Sequence, residues 1–450
     1  MNEFDNRIGF KDIHMNKGIE LWKKAVTVIP GGNGLLSKRP DRYAPDIWPT
    51  YFSRAKGCDI WDLEGNKYVD MAQMGIGSAI LGYTNDELNA AVCQAIEDGV
   101  NTTLNAPEEV LLAEELLKLN SGMGAVKFTR SGGEAMAMAV RIIRAASGRD
   151  KVAFSGYHGW SDWYLATNLS NSTNLNEHLL SGLAPKGVPS GLAGTAVPFK
   201  YNDVADFKRM LDANPDIGGI VFEGARYDFP QEDFLNEIQK EADKRGILTV
   251  VDEITSGLRM SPAGVYTLNG FVPDMVVYGK ALGGGFAISA VLGTSSVMSA
   301  AQDTFISSTF WTERVGFVAG LKTLEIIQRD RLWEQLISTG EYIGEAWQDL
   351  ADKHGLKLHV TDFKPLITMK LEYGDQNNQI LTYFIQEMLK RGYLAASSIY
   401  LSAAHTKKVV KKYLLAVDEV FALMADAIAM GVLEDRLETR VRTDSFSRLN

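Results

Sequence analysis

Gly246-Ile-Leu-Thr-Val-Val-Asp-Glu253 and, one loop later, Met275-Val-Val-Tyr-Gly-Lys-Ala-Leu-Gly-Gly-Gly285 decide how this chain is built. Each block is a short apolar run that breaks abruptly, the first into Asp252-Glu253 and the second into Gly279-Lys280 and a glycine cluster. Runs of β-branched residues without polar alternation suit strands buried on both faces, as in parallel sheets. Gly257 and Pro262 punctuate the loop between them.

The same rhythm extends outward. Apolar runs near Val126, Val152, Ile220, Val250, Val276 and Val291 are separated by helical or loop segments, which predicts an α/β fold with a mostly parallel, two-sided sheet. Upstream, residues 14–27 predict an amphipathic helix with Ile19, Trp22 and Val26 on one face, stopped by Pro30-Gly31-Gly32. An irregular segment follows to about Gly57. Cys58-Asp-Ile-Trp-Asp62 and Lys67-Tyr-Val-Asp70 then alternate around Glu64-Gly65-Asn66 as a hairpin, and Pro107–Asn120 predicts a helix. Between Trp160 and Asn202 the periodicity fails in favour of Asn, Ser, Gly and Pro; so long a stretch suits either an active-site lid or an inert surface excursion. Downstream of about residue 330, helices dominate. The clearest places Leu414, Val417, Phe421, Met424 and Ile428 on one stripe and ends at Gly431. The last dozen residues are polar and are expected to fray. The expected division is an N-terminal segment (1–75), a large domain (76–328) and a smaller C-terminal domain (329–450).

Composition narrows the function classes. With 450 residues and 46% hydrophobic content the chain can bury a large core. A net charge of −10 argues against nucleic acid as a main partner. Cys58 and Cys93 form no disulfide framework or zinc pattern, which suggests a reducing, cytoplasmic setting. The polar start Met1-Asn-Glu-Phe-Asp5 is unlike a signal peptide, and no apolar run suits a membrane span. The six histidines show no HxH or HExxH spacing, so a metal site has little support; a GxSxG elbow is also missing.

Three constellations remain. Thr129-Arg-Ser-Gly-Gly-Glu-Ala135 follows a short strand and opens a helix, with Ser131 and Glu134 spaced as a capping box. Gly132 and Gly133 leave N–H groups uncovered at that helix start, where an anion such as phosphate is favoured. A well-capped tight turn accounts for the same residues. Next, Gly156-Tyr-His-Gly-Trp160 places an aromatic at a strand end, where Tyr157 can cover a flat ring; His158 reads as a hydrogen-bonded structural residue. Finally, Asp252 and Lys280 close two successive strands on the edge where open α/β sheets bind ligands. An amine and an acid so placed can hold an aldehyde cofactor, the amine on the carbonyl carbon and the acid on a ring nitrogen. Glu253 could be the active acid instead, but strand alternation points it to the other face. Each signal alone is weak; at neighbouring strand ends they reinforce one another.

Taken together, these residues resemble the class III aminotransferases, fold-type I pyridoxal-phosphate enzymes, from about Ile29 to Gly431, and within them the glutamate-1-semialdehyde aminotransferase-like branch. The resemblance implies a PLP-dependent transferase fold with a smaller α+β domain built from N- and C-terminal segments. It implies pyridoxal 5′-phosphate held by Gly132 and Gly133 at the phosphate, by Tyr157 and Ile254 against the ring faces, by Asp252 at the ring nitrogen and by Lys280 at the aldehyde carbon. Lys280 and Asp252 would then be the catalytic pair. Ser308-Thr-Phe-Trp-Thr-Glu-Arg314 matches the segment whose threonine reaches a neighbouring subunit's cofactor, so a homodimer sharing Thr309 is implied. Glu223-Gly-Ala-Arg226 stands where the family commonly has Glu-Pro, putting Glu223 near the phenolic oxygen. Arg39, Arg130 and Arg226 are candidate anchors for a substrate acid, and Trp160 a further substrate contact. The implied reaction moves an amino group between a small amine and a carbonyl compound, with a glutamate-1-semialdehyde-type aminomutase as the alternative. Two departures weigh against the aminomutase. Gly31-Gly32 leads into Asn33-Gly-Leu-Leu-Ser-Lys-Arg39 instead of a Ser-Pro-Val-Arg-like stretch, and Phe310-Trp-Thr-Glu313 stands where Gly-Asn-Pro is common.

Overall fold

The computed structural model describes residues 17–446. The chain divides into two compact units: Asp86–Gln335, and a second that joins the chain up to Asn85 to the chain from Leu336 onward.

The second unit begins with helix α1 (Lys17–Val28); positions 14–16 of the predicted helix lie outside the described residues. Gly32 follows at φ +76°, with the Trp22 ring where a Cβ would stand, so the stop after α1 needs a glycine there. Strands β1 (Phe52–Lys56), β2 (Asp59–Asp62) and β3 (Lys67–Met71) form an antiparallel meander, the β2–β3 hairpin falling where alternation predicts it. Strand β1 lies inside the segment expected to be irregular. It is an edge strand with almost no burial, so it lacks the apolar alternation that would have marked it.

Asp86–Gln335 is built on a seven-stranded sheet: β4 (Ala125–Thr129), β5 (Lys151–Ser155), β6 (Ala196–Pro198), β7 (Ile217–Glu223), β8 (Leu248–Asp252), β9 (Met275–Tyr278) and β10 (Ser289–Gly293), in the order β4-β10-β9-β8-β7-β5-β6. Only β10 is antiparallel to its neighbours, so the other six run the same way. Their carboxyl ends therefore share one edge, and the register sets Glu223 beside Asp252 and Asp252 beside Val277. One face packs on helix α4 (Gly132–Ser147; numbered after α2, Asp86–Asp98, and α3, Pro107–Leu119). Met136, Ala139, Val140 and Ile143 meet Val152, Phe154, Val221 and Val250 there, all buried. Burial of each large side chain contributes about 1.5–3 kcal/mol, which makes this edge a rigid platform.

The stretch from Trp160 to Asn202 carries local structure of its own. It forms two short helices, Asp162–Leu165 and Thr167–Ser170, and then strand β6. Trp163, Tyr164, Leu175 and Phe199 are buried. Asn168 holds the chain by accepting from Leu175 N–H and donating to Leu183 O.

From Leu336 the chain adds β11 (Leu358–Val360), β12 (Leu366–Leu371), β13 (Tyr393–Ala395) and β14 (Ser398–Tyr400). Strand β13 joins β3 in parallel, tying the two ends of the chain into one sheet. In the Lys407–Met430 helix, Leu414, Val417, Phe421 and Met424 are buried, and Gly431 caps it at φ 66°. The polar tail is not frayed over its described part. Arg440 pairs with Asp46 at 2.8 Å, and Arg442 N–H donates to Thr382 Oγ1 at 3.0 Å. Paired charges hold what composition alone would release. Residues 447–450 lie outside the described part.

Candidate active site

The carboxyl edge of the large sheet brings together Asp252, Tyr157, Glu223 and Lys280. At the end of β8, Asp252 is buried and its two oxygens are held differently. Oδ1 accepts from Ile254 N–H at 3.0 Å, while Oδ2 lies 2.8 Å from His158 Nδ1. The other ring nitrogen of His158 faces Ser155 O at 3.0 Å, so the imidazole bridges the ends of β5 and β8. His158 is hydrogen-bonded, as expected, yet its partner is the site carboxylate itself. Glu253 takes the opposite side, where it accepts from Ser256 Oγ at 2.5 Å and Tyr266 N–H at 3.0 Å.

Lys280 follows Gly279 at the end of β9 and adopts φ 40°, left-handed for a residue with a side chain. Such backbone costs of order 1–3 kcal/mol and gathers at functional sites. Its Nζ donates to Thr255 Oγ1 at 2.7 Å. Burial pushes the amine down to about 8, and the Arg226 charge adds to the shift. An amine so placed is partly neutral near physiological pH and can act as a nucleophile or base.

Helix α4 starts at this edge because β4 ends there. Ser131 caps it, accepting from Glu134 N–H, while the Glu134 carboxylate accepts from Ser131 N–H at 2.9 Å. Gly132 and Gly133 are the first two residues of the helix, where the N–H groups have no intrahelical acceptor. A Cβ on Gly132 would stand 2.9 Å from Ile254 Cδ1, and one on Gly133 would stand 3.0 Å from the Trp160 indole. Only glycines leave this cradle open. Helix start, buried acid and depressed lysine fit a flat, phosphate-bearing aldehyde, and they fit pyridoxal 5′-phosphate in particular.

Tyr157 N–H donates to Glu223 Oε2 at 3.2 Å, at the end of β7. Gly156 before it has φ 111° and no room for a Cβ against that carboxylate. Arg226 lies 3.7 Å from Glu223 and 5.9 Å above the Tyr157 ring. Trp160 is 71% exposed over Gly133.

Other predicted residues are engaged differently. The Arg130 guanidinium donates to Glu313 O, lies 3.6 Å from the Glu313 carboxylate and covers the Phe317 ring. It joins the phosphate cradle to the Arg314–Asp330 helix. Arg39, in the other unit, is buried and forks onto Asp41 at 2.9 and 2.6 Å. Thr309 is exposed at the start of a short 3-10 helix, Thr309–Thr312.

Two polar groups escaped sequence reasoning as parts of the site. His158 meets its carboxylate across 94 positions, and Thr255 meets Lys280 across 25. A histidine and a threonine carry no periodic signal. The clue within reach was their adjacency to Tyr157 and Asp252. Among the described residues no group of three or more His, Cys, Asp or Glu could hold a metal ion, and no helix is long and apolar enough to cross a membrane.

The family model "Aminotransferase class-III" matches residues 43–404. A 3-aminobutyryl-CoA aminotransferase from Cloacimonas acidaminovorans is 28% identical over 94% of this chain and 98% of its own. A glutamate-1-semialdehyde 2,1-aminomutase from Methanocaldococcus jannaschii is 28% identical over 91% of this chain and 99% of its own. Among solved structures, the PLP internal aldimine form of the Sphingopyxis sp. MTA144 FumI protein superposes with a TM-score of 0.84 at 26% identity, over 95% of this chain and 99% of that one.

Proposed function

The chain belongs to the class-III aminotransferase family, and from that premise we propose how its own residues carry out PLP-dependent transamination. Pyridoxal 5′-phosphate supplies an aldehyde carbon for the amino group and a protonated ring that accepts the electron pair left when the α-proton departs. Gly132 and Gly133 would hold the phosphate through their N–H groups. Tyr157 and Ile254 would confine the ring, with Glu223 toward its phenolic oxygen. Asp252, oriented by His158, would hold a proton at the ring nitrogen. Lys280 would anchor the cofactor at its aldehyde carbon, and its Nζ is placed to take and return the substrate's α-proton.

Lys280 is the observation that carries this reading: a buried amine on strained backbone, one strand from a histidine-held aspartate. Of the three arginines, Arg226 is proposed to meet a substrate carboxylate, because it overlies Tyr157. Trp160 stands over Gly133, while Arg39 and Arg130 serve structural ion pairs. A homodimer is inferred, with Thr309 from each subunit reaching its neighbour's phosphate. The exposed Phe305 and Phe310 beside it support such a face. The free thiols of Cys58 and Cys93 support a cytoplasmic setting.

Purified protein incubated with the cofactor should show a visible absorption band that Lys280→Ala abolishes. Amino donors should bleach it, and a keto acid should restore it. A protein that stays colourless would falsify the reading. Isomerised product with no need for an external acceptor would instead support the aminomutase.

A further inference from the structure

Beside the cofactor residues lies a cavity of about 350 Å³, lined by Ser155, Gly156, His178, Tyr201, Glu223 and Arg226 among others. Its size suits a ligand group of several heavy atoms. We propose that this cavity is a subsite for the remote end of the amino substrate, and that it selects an uncharged, oxygen-bearing group, hydroxyl or carbonyl, over a carboxylate or a hydrocarbon. The proposal rests on the transaminase reading and deepens it, because Gly156 and Glu223 border both the cavity and the Tyr157 ring cover.

Ser155 supplies the first argument. Its residue is fully buried at the end of β5, and its Oγ has no hydrogen-bond partner. A buried hydroxyl left unpaired is costly unless something in the adjoining space meets it. Ser155 O is already opposite His158, so only the hydroxyl remains to be served.

His178 supplies the second. Its Nδ1 accepts from Gly156 N–H at 3.2 Å, so the neutral ring carries its proton on Nε2, as a donor. Burial pushes the ring down to about 4, so it stays neutral at physiological pH. Tyr201 donates its O–H to Glu223 O at 3.0 Å, which leaves its oxygen as an acceptor. The wall thus offers a neutral donor, a hydroxyl of either sense and a neutral acceptor. That set complements an alcohol or a carbonyl.

Charge supplies the third. The cations on this wall already face carboxylates: Lys200 lies 3.3 Å from Glu177 at the open rim, and Arg226 lies 3.7 Å from Glu223. With Arg226 assigned to the reacting end and Lys200 at the rim, no other cation among the described residues lines the cavity to meet an anionic tail. A carboxylate there would also meet Glu223.

The test uses holoenzyme and single half-reactions, read as loss of the visible band. The probes are hexylamine, its isostere aminopentanol, and aminopentanoate, with alanine and glutamate as reference donors. Aminopentanol is expected to bleach the band about 10-fold more efficiently than either companion, the factor that one satisfied hydrogen bond supplies. In Ser155→Ala the ratio of aminopentanol to hexylamine should fall to about one, with the cofactor band retained as evidence of a folded, loaded site. Equal rates for the three probes, or an unchanged ratio in Ser155→Ala, would overturn the subsite. So would bleaching by alanine or glutamate with none by the three probes. If no amine at all bleaches the band, the transaminase reading itself has failed.

Discussion

Asp252 and Glu253 are neighbours in sequence, yet the sheet sends them into different chemistry. Asp252 faces the ligand edge. Its oxygens touch a backbone N–H and an imidazole, which fixes the direction in which the carboxylate points. Glu253 is enclosed on the opposite side by Ser256, Val265 and Tyr266, and burial raises it to about 7. Period-two alternation makes the choice, and the surroundings then decide whether a carboxylate acts as a ligand or as a neutral buried acid. What separates them is a histidine hydrogen bond on one side and enclosure in the interior on the other.

The largest effect should come from Asp252→Asn. An amide cannot hold a proton on a ring nitrogen, so kcat/KM should fall about 10²–10⁴-fold in a steady-state assay, the range for losing a positioned acid or base. Glu253→Gln should leave kcat/KM within about threefold, since no reacting atom touches that side. Comparable losses in both variants would erase the distinction.

His158→Gln tests what makes the two acids differ. Asp252 would remain in place but lose the group that orients it. Activity should drop about 10–100-fold, as when a supporting hydrogen bond behind a functional ligand is removed. The cofactor band should persist but shift its pH dependence, whereas a simply unfolded protein would lose it.

Much of this edge was legible because strand ends carry their own signals. The runs at Val126, Val152, Ile220, Val250, Val276 and Val291 are all strands, and Ser131/Glu134 is a capping box. Strand β6 was not legible, since Ala196-Val-Pro198 is three residues long and contains a proline. The role of His158 was hidden because its partner is remote in sequence. For Arg130, the Glu313 that engages it lies 183 positions away. Long-range polar pairs leave no periodic trace, so the apolar framework is readable before the contacts that finish it.

A third measurement follows Lys280. Its amine is pushed down to about 8 from the ordinary 10.5, so the neutral, nucleophilic fraction grows severalfold between about pH 7 and pH 8.5. The rate at which apoprotein acquires the visible band should rise through pH 8 and level off above it. A rise centred near pH 10 would mean that burial does not tune the lysine.

The smallest effect, on stability alone, isolates Glu253. Its folded value of about 7 stands above the ordinary 4.5, so the folded state binds the proton more tightly than the unfolded chain does. That preference stabilises the fold fully below about pH 4.5 and is lost as pH rises through 7, amounting to about 3 kcal/mol. Glu253→Gln mimics the protonated acid at every pH. The difference in melting temperature, variant minus wild type, should therefore become more positive between pH 5 and pH 8. A difference that stays flat across that window would mean that burial does not tune Glu253, and the contrast with Asp252 would then lie in direction alone.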